Sequence, residues 1–286
     1  MSFLTSITHL VRDRPPNHLF ELSEAGIAFA HSRQTGFQPF ERGTLVVSPV
    51  EDNLKRADLA AALMERIAPI NGSKKRRPAG VILPDYAARV TVLDFDSFPS
   101  APEEQLSLVR FRVKKTIPFD VDSAAVSYYV QPSSGNKRVE VLAVTVAVEI
   151  IARYEALFRN AGFHPGDVTT STLAALNLYR GDGVAVLAKL AGQALTVAVL
   201  SGSAIKLFRC VTLEEASDEE ILAILHPTFS YVEDELGSPA RKLILCGFDR
   251  SIAAHLGYET ESLRSRFGTP GPFNAGLLGY LEAVEG

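Results

Sequence analysis

The chain has 286 residues, which is long enough for one large domain or two modest ones, each with its own hydrophobic core. Hydrophobic residues make up 47% of it and charged residues 22%, as in an ordinary soluble globular protein. A net charge of -4 argues against a nucleic-acid-binding surface, and no apolar stretch reaches the roughly 20 residues that a transmembrane helix needs.

The expected location is the cytoplasm. In the opening MSFLTSITHLVRDR the basic residues follow the apolar part, which reverses the order of a secretory signal. Cys210 and Cys246 lie in separate apolar runs. We interpret them as buried free thiols, suited to a reducing compartment, with a disulfide as the alternative.

The first predicted elements form a hairpin at residues 19–32, LFELSEAGIAFAHS, and residues 37–49 complete its meander. Residues 53–67 have helical spacing, and GVILP and RVTVLDF are strand-like. A second helix is predicted at 103–117, before Pro118. The two helices have apolar faces, which are Leu54, Leu59, Leu63 and Ile67 in the first and Leu106, Val109, Val113 and Ile117 in the second.

Two further strands, AVSYYVQ and VEVLAVTVAV, flank the turn-rich PSSGNKR. The helix IIARYEALFRNAG ends at Gly162, a C-cap residue, and FHPGDV interrupts the regular structure. Thr170 or Ser171 is the expected N-cap of the short helix TLAALNLYR.

A second block of elements repeats the first. It begins with the hairpin LAKLAGQALTVAVL at residues 187–200, and FRCVTL is its third strand. A helix at 217–236, the strand KLILCG and a closing helix in GPFNAGLLGYLEAVEG follow. The repeated layout predicts an α/β protein with two lobes, each a sheet flanked by helices.

The stretch ILPDYAARVTVLDFDSFPSAPEEQLSLVRFRVKKTIPFD resembles a pattern of the PilM family, which belongs to the actin-like ATPase superfamily. The segments AGFHPGDVTTSTLAALNLYR, LILCGF and FNAGLLGYLEA also resemble parts of that family. The resemblance implies a two-lobed actin-like ATPase fold with mixed sheets. Its first lobe would comprise 1–168 and the closing helix 272–286, with an inserted subdomain at about 80–150, and its second lobe 169–271.

The chain departs from the nucleotide-binding members of this superfamily, which have an Asp-Ile-Gly-type turn in each hairpin. The altered positions are Glu21, Ser23 and Ala28 in the first hairpin, Lys189, Ala191 and Gly192 in the second, and Gly247 and Phe248 in the adenosine-side strand. We therefore expect a degenerate pocket with no catalytic residue, no metal and no cofactor. The alternative is an active ATPase or small-molecule kinase that binds ATP with Mg²⁺ and uses Glu21 as its carboxylate.

Glu21 and Lys189 occupy the charged positions of the two hairpins. By the resemblance these hairpins face each other across a cleft, so one hypothesis is an ion pair between the two side chains. The other hypothesis is that each side chain reaches solvent separately.

By the same resemblance, the function is that of a non-catalytic adapter at the cytoplasmic face of a pilus or secretion platform. The expected partner is the N-terminal tail of a PilN-like bitopic membrane protein, docked as an extended peptide in a groove of the first lobe, near Arg89, Val90, Arg110, Phe111 and Lys114. Self-association stays open. The loop SKKRRP is either a solvated loop or a weak contact with anionic lipid through Lys74, Lys75, Arg76 and Arg77.

Two other groups of residues are assigned to the surface or the structural framework. Asp94 and Asp96 are interpreted as turn or surface residues, and the 6 histidines lack metal-ligand spacing.

Overall fold

The computed structural model describes residues 16–31, 34–48, 52–69, 75–132, 138–237, 239–240, 242–248, 252 and 258–285. The described strands are β1 (His18–Ser23), β2 (Gly26–His31), β3 (Gln34–Pro39), β4 (Arg77–Leu83), β5 (Arg89–Phe95), β6 (Ala124–Val130), β7 (Val139–Ala147), β8 (Phe163–Thr170), β9 (Val184–Ala191), β10 (Ala194–Ser201), β11 (Ala204–Thr212), β12 (Lys242–Cys246) and β13 (Thr260–Ser262). The described helices are α1 (Ala57–Ile67), α2 (Pro102–Val113), α3 (Val148–Asn160), α4 (Ser171–Ala175), α5 (Asp218–Leu236) and α6 (Ala275–Glu285).

The contacts divide the chain into two compact units. Unit 1 comprises Met1–Ala87, Glu149–Tyr179 and Arg264–Gly286, and unit 2 comprises Ala88–Val148 and Arg180–Leu263. The structure therefore groups the segment after β4 with unit 2, whereas the sequence places an inserted subdomain of about 80–150 in the first lobe.

Unit 1 contains a mixed five-stranded sheet in the order β3-β2-β1-β4-β8. The predicted hairpin is present as β1 and β2, which pair antiparallel, while β4 runs parallel to β1 and to β8. Both strands of the hairpin are mostly buried, as their apolar runs require.

The prediction that FHPGDV interrupts regular structure is wrong, because β8 runs through this stretch. Pro165 fits because β8 is an edge strand, where a missing N–H does not break a ladder. The register shifts from Ala79 opposite Pro165 to Gly80 opposite Asp167, so Gly166 is the extra residue of a bulge.

One helix start differs from its prediction, and one predicted cap lacks its hydrogen bond. Helix α1 begins at Ala57, not at residue 53, because Leu54 pairs with Leu45 in an isolated bridge. Thr170 lies at the N-cap of α4 as predicted, but its side chain makes no capping hydrogen bond. The C-cap prediction for Gly162 agrees with its φ of 78°.

Unit 2 contains a second mixed five-stranded sheet, in the order β11-β10-β9-β12-β13. The second predicted hairpin is present as β9 and β10, and β12 runs parallel to β9. Helix α5 packs on this sheet through buried Ile221, Leu225, Phe229 and Val232. A capping box between Ser217 and Glu220 fixes its first turn.

A three-stranded antiparallel sheet, β5-β7-β6, completes unit 2. Helix α2 covers it with buried Val109 and Val113, and it ends at Val113, before the predicted residue 117.

Cys246 is buried and Cys210 half-buried, and neither forms a disulfide. Among the residues described, no helix is long and apolar enough to cross a membrane.

Candidate functional site

Glu21 is the centre of a buried polar cluster in unit 1. Its side chain is only 1% exposed on the central strand β1, between Ala28 of β2 and Ile82 of β4. One carboxylate oxygen accepts a hydrogen bond from the Ser171 hydroxyl, and the other accepts one of 2.7 Å from the backbone N–H of Leu277. Glu21 thereby connects the sheet to the first turns of α4 and α6.

A second buried carboxylate supports the same region. Asp85, in the short 3-10 turn after β4, accepts hydrogen bonds from the backbone N–H of Thr172 at 2.7 Å and from its hydroxyl at 2.5 Å. Both carboxylates lie at the amino ends of helices, where the free N–H groups and the helix dipole favour negative charge. The two acids therefore have structural partners inside unit 1.

Helix α6 packs directly against the backbone of α4. A Cβ on Gly276 would lie 2.8 Å from the Ser171 carbonyl oxygen and 3.0 Å from Glu21 Oε1. A Cβ on Gly279 would overlap the carbonyl of Ala174. Only glycine permits this approach, and the approach brings the N–H of Leu277 to the Glu21 carboxylate.

The same helix is fixed to β8 through Tyr280. Its hydroxyl donates a 2.7 Å hydrogen bond to Asp167. Burial, and after it the Asp167 carboxylate, raises the pKa of Tyr280 well above its ordinary value. Tyr280 is therefore a neutral structural donor at any physiological pH.

The other two altered residues of the first hairpin are also buried. The Ser23 hydroxyl donates a 3.2 Å hydrogen bond to the Gly26 carbonyl, which closes the hairpin turn. Ala28 is 1% exposed and lies opposite Glu21. The turn of this hairpin is thus closed by a serine side chain in place of a glycine-rich backbone.

Lys189 holds the equivalent place in the second hairpin. Each charged residue lies two positions before the last residue pair of its hairpin, and each lies on a strand with a parallel neighbour. Lys189 is 2% exposed and lies between Thr196 of β10 and Cys246 of β12. Ala191 ends β9, and Gly192 forms the turn with a φ of 54°.

The adenosine-side position contains Gly247 and Phe248, directly after β12. Gly247 has a φ of 79°, which a residue with a side chain rarely adopts. Phe248 is half-buried and packs against the hydrophobic core of unit 2. Its ring is therefore part of the packing of that unit.

The expectation that the first hairpin holds no magnesium–nucleotide site stays a prediction, and the contacts of Glu21 bear on it. Both oxygens of Glu21 are hydrogen-bonded to donors of unit 1, and no group of three or more ligating side chains occurs among the described residues. Magnesium prefers oxygen ligands in an octahedral arrangement. The ion pair between Glu21 and Lys189 stays a prediction, but the alternative that each reaches solvent is wrong, since both are buried.

The residues expected to border a partner groove all belong to unit 2 and have different roles. Arg110 is structural, because its guanidinium donates to the carbonyls of Val121 at 2.5 Å and Ala124 at 3.2 Å. Phe111 is 64% exposed on α2, and Lys114 follows at the exposed end of the helix. Arg89 and Val90 begin β5 and are half-buried.

The basic loop before β4 is only partly described, and Lys74 lies outside the described residues. Lys75 and Arg76 are exposed. Arg77 has a structural role: its guanidinium donates to the carbonyls of Ala68 at 2.9 Å and Ala161 at 3.3 Å and lies 4.1 Å from the centroid of the Phe163 ring. A lipid contact stays a prediction for the exposed part of this loop.

Thr172 and Asp85 were not assigned roles from the sequence, and Ser171 was assigned only a possible N-cap role. A signal exists in the run TTST, where four hydroxyl side chains span the junction of β8 and α4. Asp85 lies in the LPDY part of the stretch that resembles the PilM family. Their partners were missed because the hydrogen bonds join residues 87 and 150 positions apart.

Comparisons with solved structures show the fold. Over 96% of this chain and 97% of the other, the structure is similar to one described as a PilM–PilN type IV pilus biogenesis complex, with a TM-score of 0.64 and 15% identity. The cytoplasmic domain of EpsL, an inner-membrane component of the type II secretion system of Vibrio cholerae, matches with a TM-score of 0.56 and 15% identity over 94% of each chain. A Bacteroides thetaiotaomicron protein with an actin-like ATPase fold and unknown function matches with a TM-score of 0.51 and 12% identity over 92% of this chain and 93% of that one.

The fold is therefore the actin-like ATPase fold. It is similar to the fold of the PilM–PilN structure, as the resemblance of the central stretch predicted. No protein-family profile matches the sequence, and no curated protein matches it.

Proposed function

We propose that the chain is a non-catalytic adapter of a type IV pilus or related secretion platform, and that it binds the N-terminal cytoplasmic tail of a PilN-like membrane protein. Its likeness to PilM and to the EpsL cytoplasmic domain supports the setting, since the first is described in a complex with PilN and the second as part of an inner-membrane system. Fold likeness alone does not fix a function, so the residues must support the proposal.

The engagement of Glu21 is the observation on which the proposal depends. At the position where the resemblance implies a metal-organising aspartate, this carboxylate accepts hydrogen bonds from Ser171 and from the backbone of Leu277. Both of its oxygens are thus held by buried donors of unit 1, and leaving either donor unsatisfied would cost about 1–3 kcal/mol. The residue thus favours a structural role over a catalytic one.

A thermal-shift titration with ATP and Mg²⁺ tests the loss of nucleotide chemistry. A ligand at 100 times its Kd stabilises the native state by about 2.7 kcal/mol, which would raise the melting temperature by a few degrees. We expect no shift at millimolar ATP. ATP turnover by the wild type that disappears in the isosteric Glu21→Gln variant would establish the kinase or ATPase alternative.

The exposed end of α2 is the proposed contact for the tail. Phe111 offers an apolar anchor that is 64% exposed, and Lys114 offers an adjacent positive charge. This combination suits a short segment with apolar and acidic side chains, because an aromatic anchor supplies most of the binding energy and the charge selects the partner.

Affinity capture from detergent-solubilised membranes, followed by titration of a synthetic peptide of the captured tail, tests the partner. We expect a single-span membrane protein to bind through its N-terminal tail. The Phe111→Ala/Lys114→Glu variant should bind the tail peptide at least tenfold more weakly than the wild type does. Its matched control is Val168→Ala/Lys55→Glu, which removes an exposed apolar and an exposed basic side chain from unit 1. Equal binding by all three proteins would contradict the proposed contact.

A further inference from the structure

An open groove lies in unit 1 between the edge strand β3 and the segment that leads into α6. Its cavity volume is about 380 Å³, within the range of roughly 300–1,000 Å³ of ligand pockets. Phe37 and Phe273 line it, with ring centroids 6.5 Å apart, together with Leu277 and Leu278. None of its lining residues carries a charge.

The hydrogen-bond pattern of β3 leaves backbone groups facing this groove. The N–H of Phe40 bonds to the carbonyl of Ala25, so the adjacent pair of Gly26 and Pro39 exchanges no hydrogen bonds. Pro39, which has no N–H, fits that place. In an antiparallel ladder bonded and non-bonded pairs alternate, so the N–H and C=O groups of Thr35 and Phe37 point away from β2.

Strand β3 pairs only with β2 among the described strands, and so it is an edge of the sheet. The same two residues that direct their backbone groups outward, Thr35 and Phe37, also line the groove. An unpaired strand edge beside an apolar pocket is the arrangement by which proteins add a peptide strand: backbone hydrogen bonds give affinity, and the pocket selects alternate side chains.

We propose that this groove binds an extended, uncharged peptide segment of another protein, which pairs with β3 as a sixth strand and places an apolar side chain between Phe37 and Phe273. The uncharged lining excludes a charged occupant, because a charged side chain would lose its hydration without gaining a partner. The site lies in unit 1, on elements other than α2, and it goes beyond the proposed function without depending on it.

A second copy of this chain is a poorer occupant. Strand β3 is six residues long, and only at Thr35 and Phe37 do the backbone N–H and C=O both point away from β2. Pairing two such edges would bury far less than the roughly 1,200 Å² of a stable protein–protein interface. A peptide needs less area, since only one strand has to fit the groove.

Fluorescence anisotropy tests the proposal with a defined probe, an end-blocked fluorescein-labelled octapeptide of alternating valine and threonine. We expect saturable binding by the full chain. Thr35→Pro should weaken it at least tenfold, since it removes an outward N–H at an edge position that tolerates proline. Phe37→Asp should do the same by placing a charge in the groove. Gln38→Ala is the control on the same strand and should bind as the wild type does.

Probe variants separate strand addition from adhesion to an apolar surface. A peptide with N-methylated amides along one edge should not bind, and one with lysine in place of valine should bind at least tenfold more weakly. The proposal would be overturned if either modified peptide bound as tightly as the parent peptide. It would also be overturned if Thr35→Pro and Phe37→Asp both left the binding unchanged. So would a concentration-dependent dimer in sedimentation that Thr35→Pro abolishes, because a second copy would then occupy the edge. If the tests of the β3 groove fail, the proposed contact between α2 and the membrane-protein tail is unaffected, since the two tests use different residues and different peptides.

Discussion

At the scale of single residues, Glu21 shows how one charged side chain in an apolar strand can serve the fold. The carboxylate is buried, and it accepts hydrogen bonds from the hydroxyl of Ser171 and the backbone of Leu277. Charge is favoured there because the acceptor faces the amino end of α6, where helical N–H groups have no partner within the helix.

Glu21→Ala should lower the free energy of unfolding by about 3 kcal/mol, since it leaves two buried donors unsatisfied and opens a cavity. Glu21→Gln should cost about 1 kcal/mol, because the amide oxygen can still accept from Leu277 and the amide NH2 can donate to the Ser171 hydroxyl, so that the charge is lost and one hydrogen bond reverses. Urea unfolding followed by circular dichroism measures both. Ser23→Ala, which removes one hydrogen bond from the same hairpin, is the matched control and should cost about 1 kcal/mol. If Glu21→Ala proved as stable as the wild type, the carboxylate would not be structural, and a ligand-binding role would return.

The sequence showed that Glu21 and Lys189 are exceptional, but not what they contact. A charge inside an alternating apolar run is a local pattern, and it is visible in LFELS and LAKLA. The partners of Glu21 come from positions 150 and 256 residues away, so they depend on tertiary packing that no local pattern encodes.

At the scale of elements, periodicity predicted both hairpins and most of the helices, because each depends on neighbours in sequence. The exception is β8, where FHPGDV contains the residues that normally end a strand. Its strand depends on edge position and on a bulge at Gly166, and both are properties of the assembled sheet. The early end of α2 coincides with a tight turn, in which the N–H and the hydroxyl of Thr116 both donate to the Val113 carbonyl, at 2.8 Å and 3.0 Å.

Unit 2 contains a joint between its two sheets that a side-chain amide and an ion pair form. Gln131, at the end of β6, donates to the Ile205 carbonyl at 2.8 Å and accepts from the Ile205 N–H at 2.7 Å, as a paired strand would. Lys206 and Glu140 form an ion pair of 2.5 Å beside it, with side chains 10% and 13% exposed. A primary amide carries a donor and an acceptor side by side, and so it can bond to a backbone C=O and N–H together.

Gln131→Leu should therefore lower the free energy of unfolding by about 2–4 kcal/mol, since the N–H and C=O of Ile205 both lose their partner in a buried place. Denaturant unfolding gives the stability, and hydrogen exchange at the Ile205 amide gives a local measure, which should rise. Gln193→Leu is the matched control: its amide donates to the Glu214 carbonyl at an exposed site, and its loss should cost less than about 0.5 kcal/mol. Equal costs at the two sites would show that the joint does not depend on the Gln131 amide.

At the scale of the whole molecule, each unit is assembled from segments that are far apart in the sequence. Unit 1 needs its last segment, Arg264–Gly286, because α6 supplies buried core side chains and the N–H that binds Glu21. The buried side chains of α6 include Leu277, Leu278, Tyr280 and Leu281. Burying each contributes about 1.5–3 kcal/mol, so the four together approach the 5–15 kcal/mol that stabilises a whole domain.

Deletion of residues 264–286 should consequently unfold unit 1 while the two sheets of unit 2 keep all of their own strands. Hydrogen exchange with peptide-level readout should show loss of protection in β1, β4 and β8 and retained protection in β9, β10 and β12. The matched control is deletion of residues 284–286 alone, which takes from α6 only Val284 and Glu285, both half-buried, and should leave both patterns intact. Retained protection in β1 after the long deletion would contradict the role given to α6. Equal loss of protection in both units would show instead that the two units unfold cooperatively, since the deletion in unit 1 would then destabilise unit 2 as well.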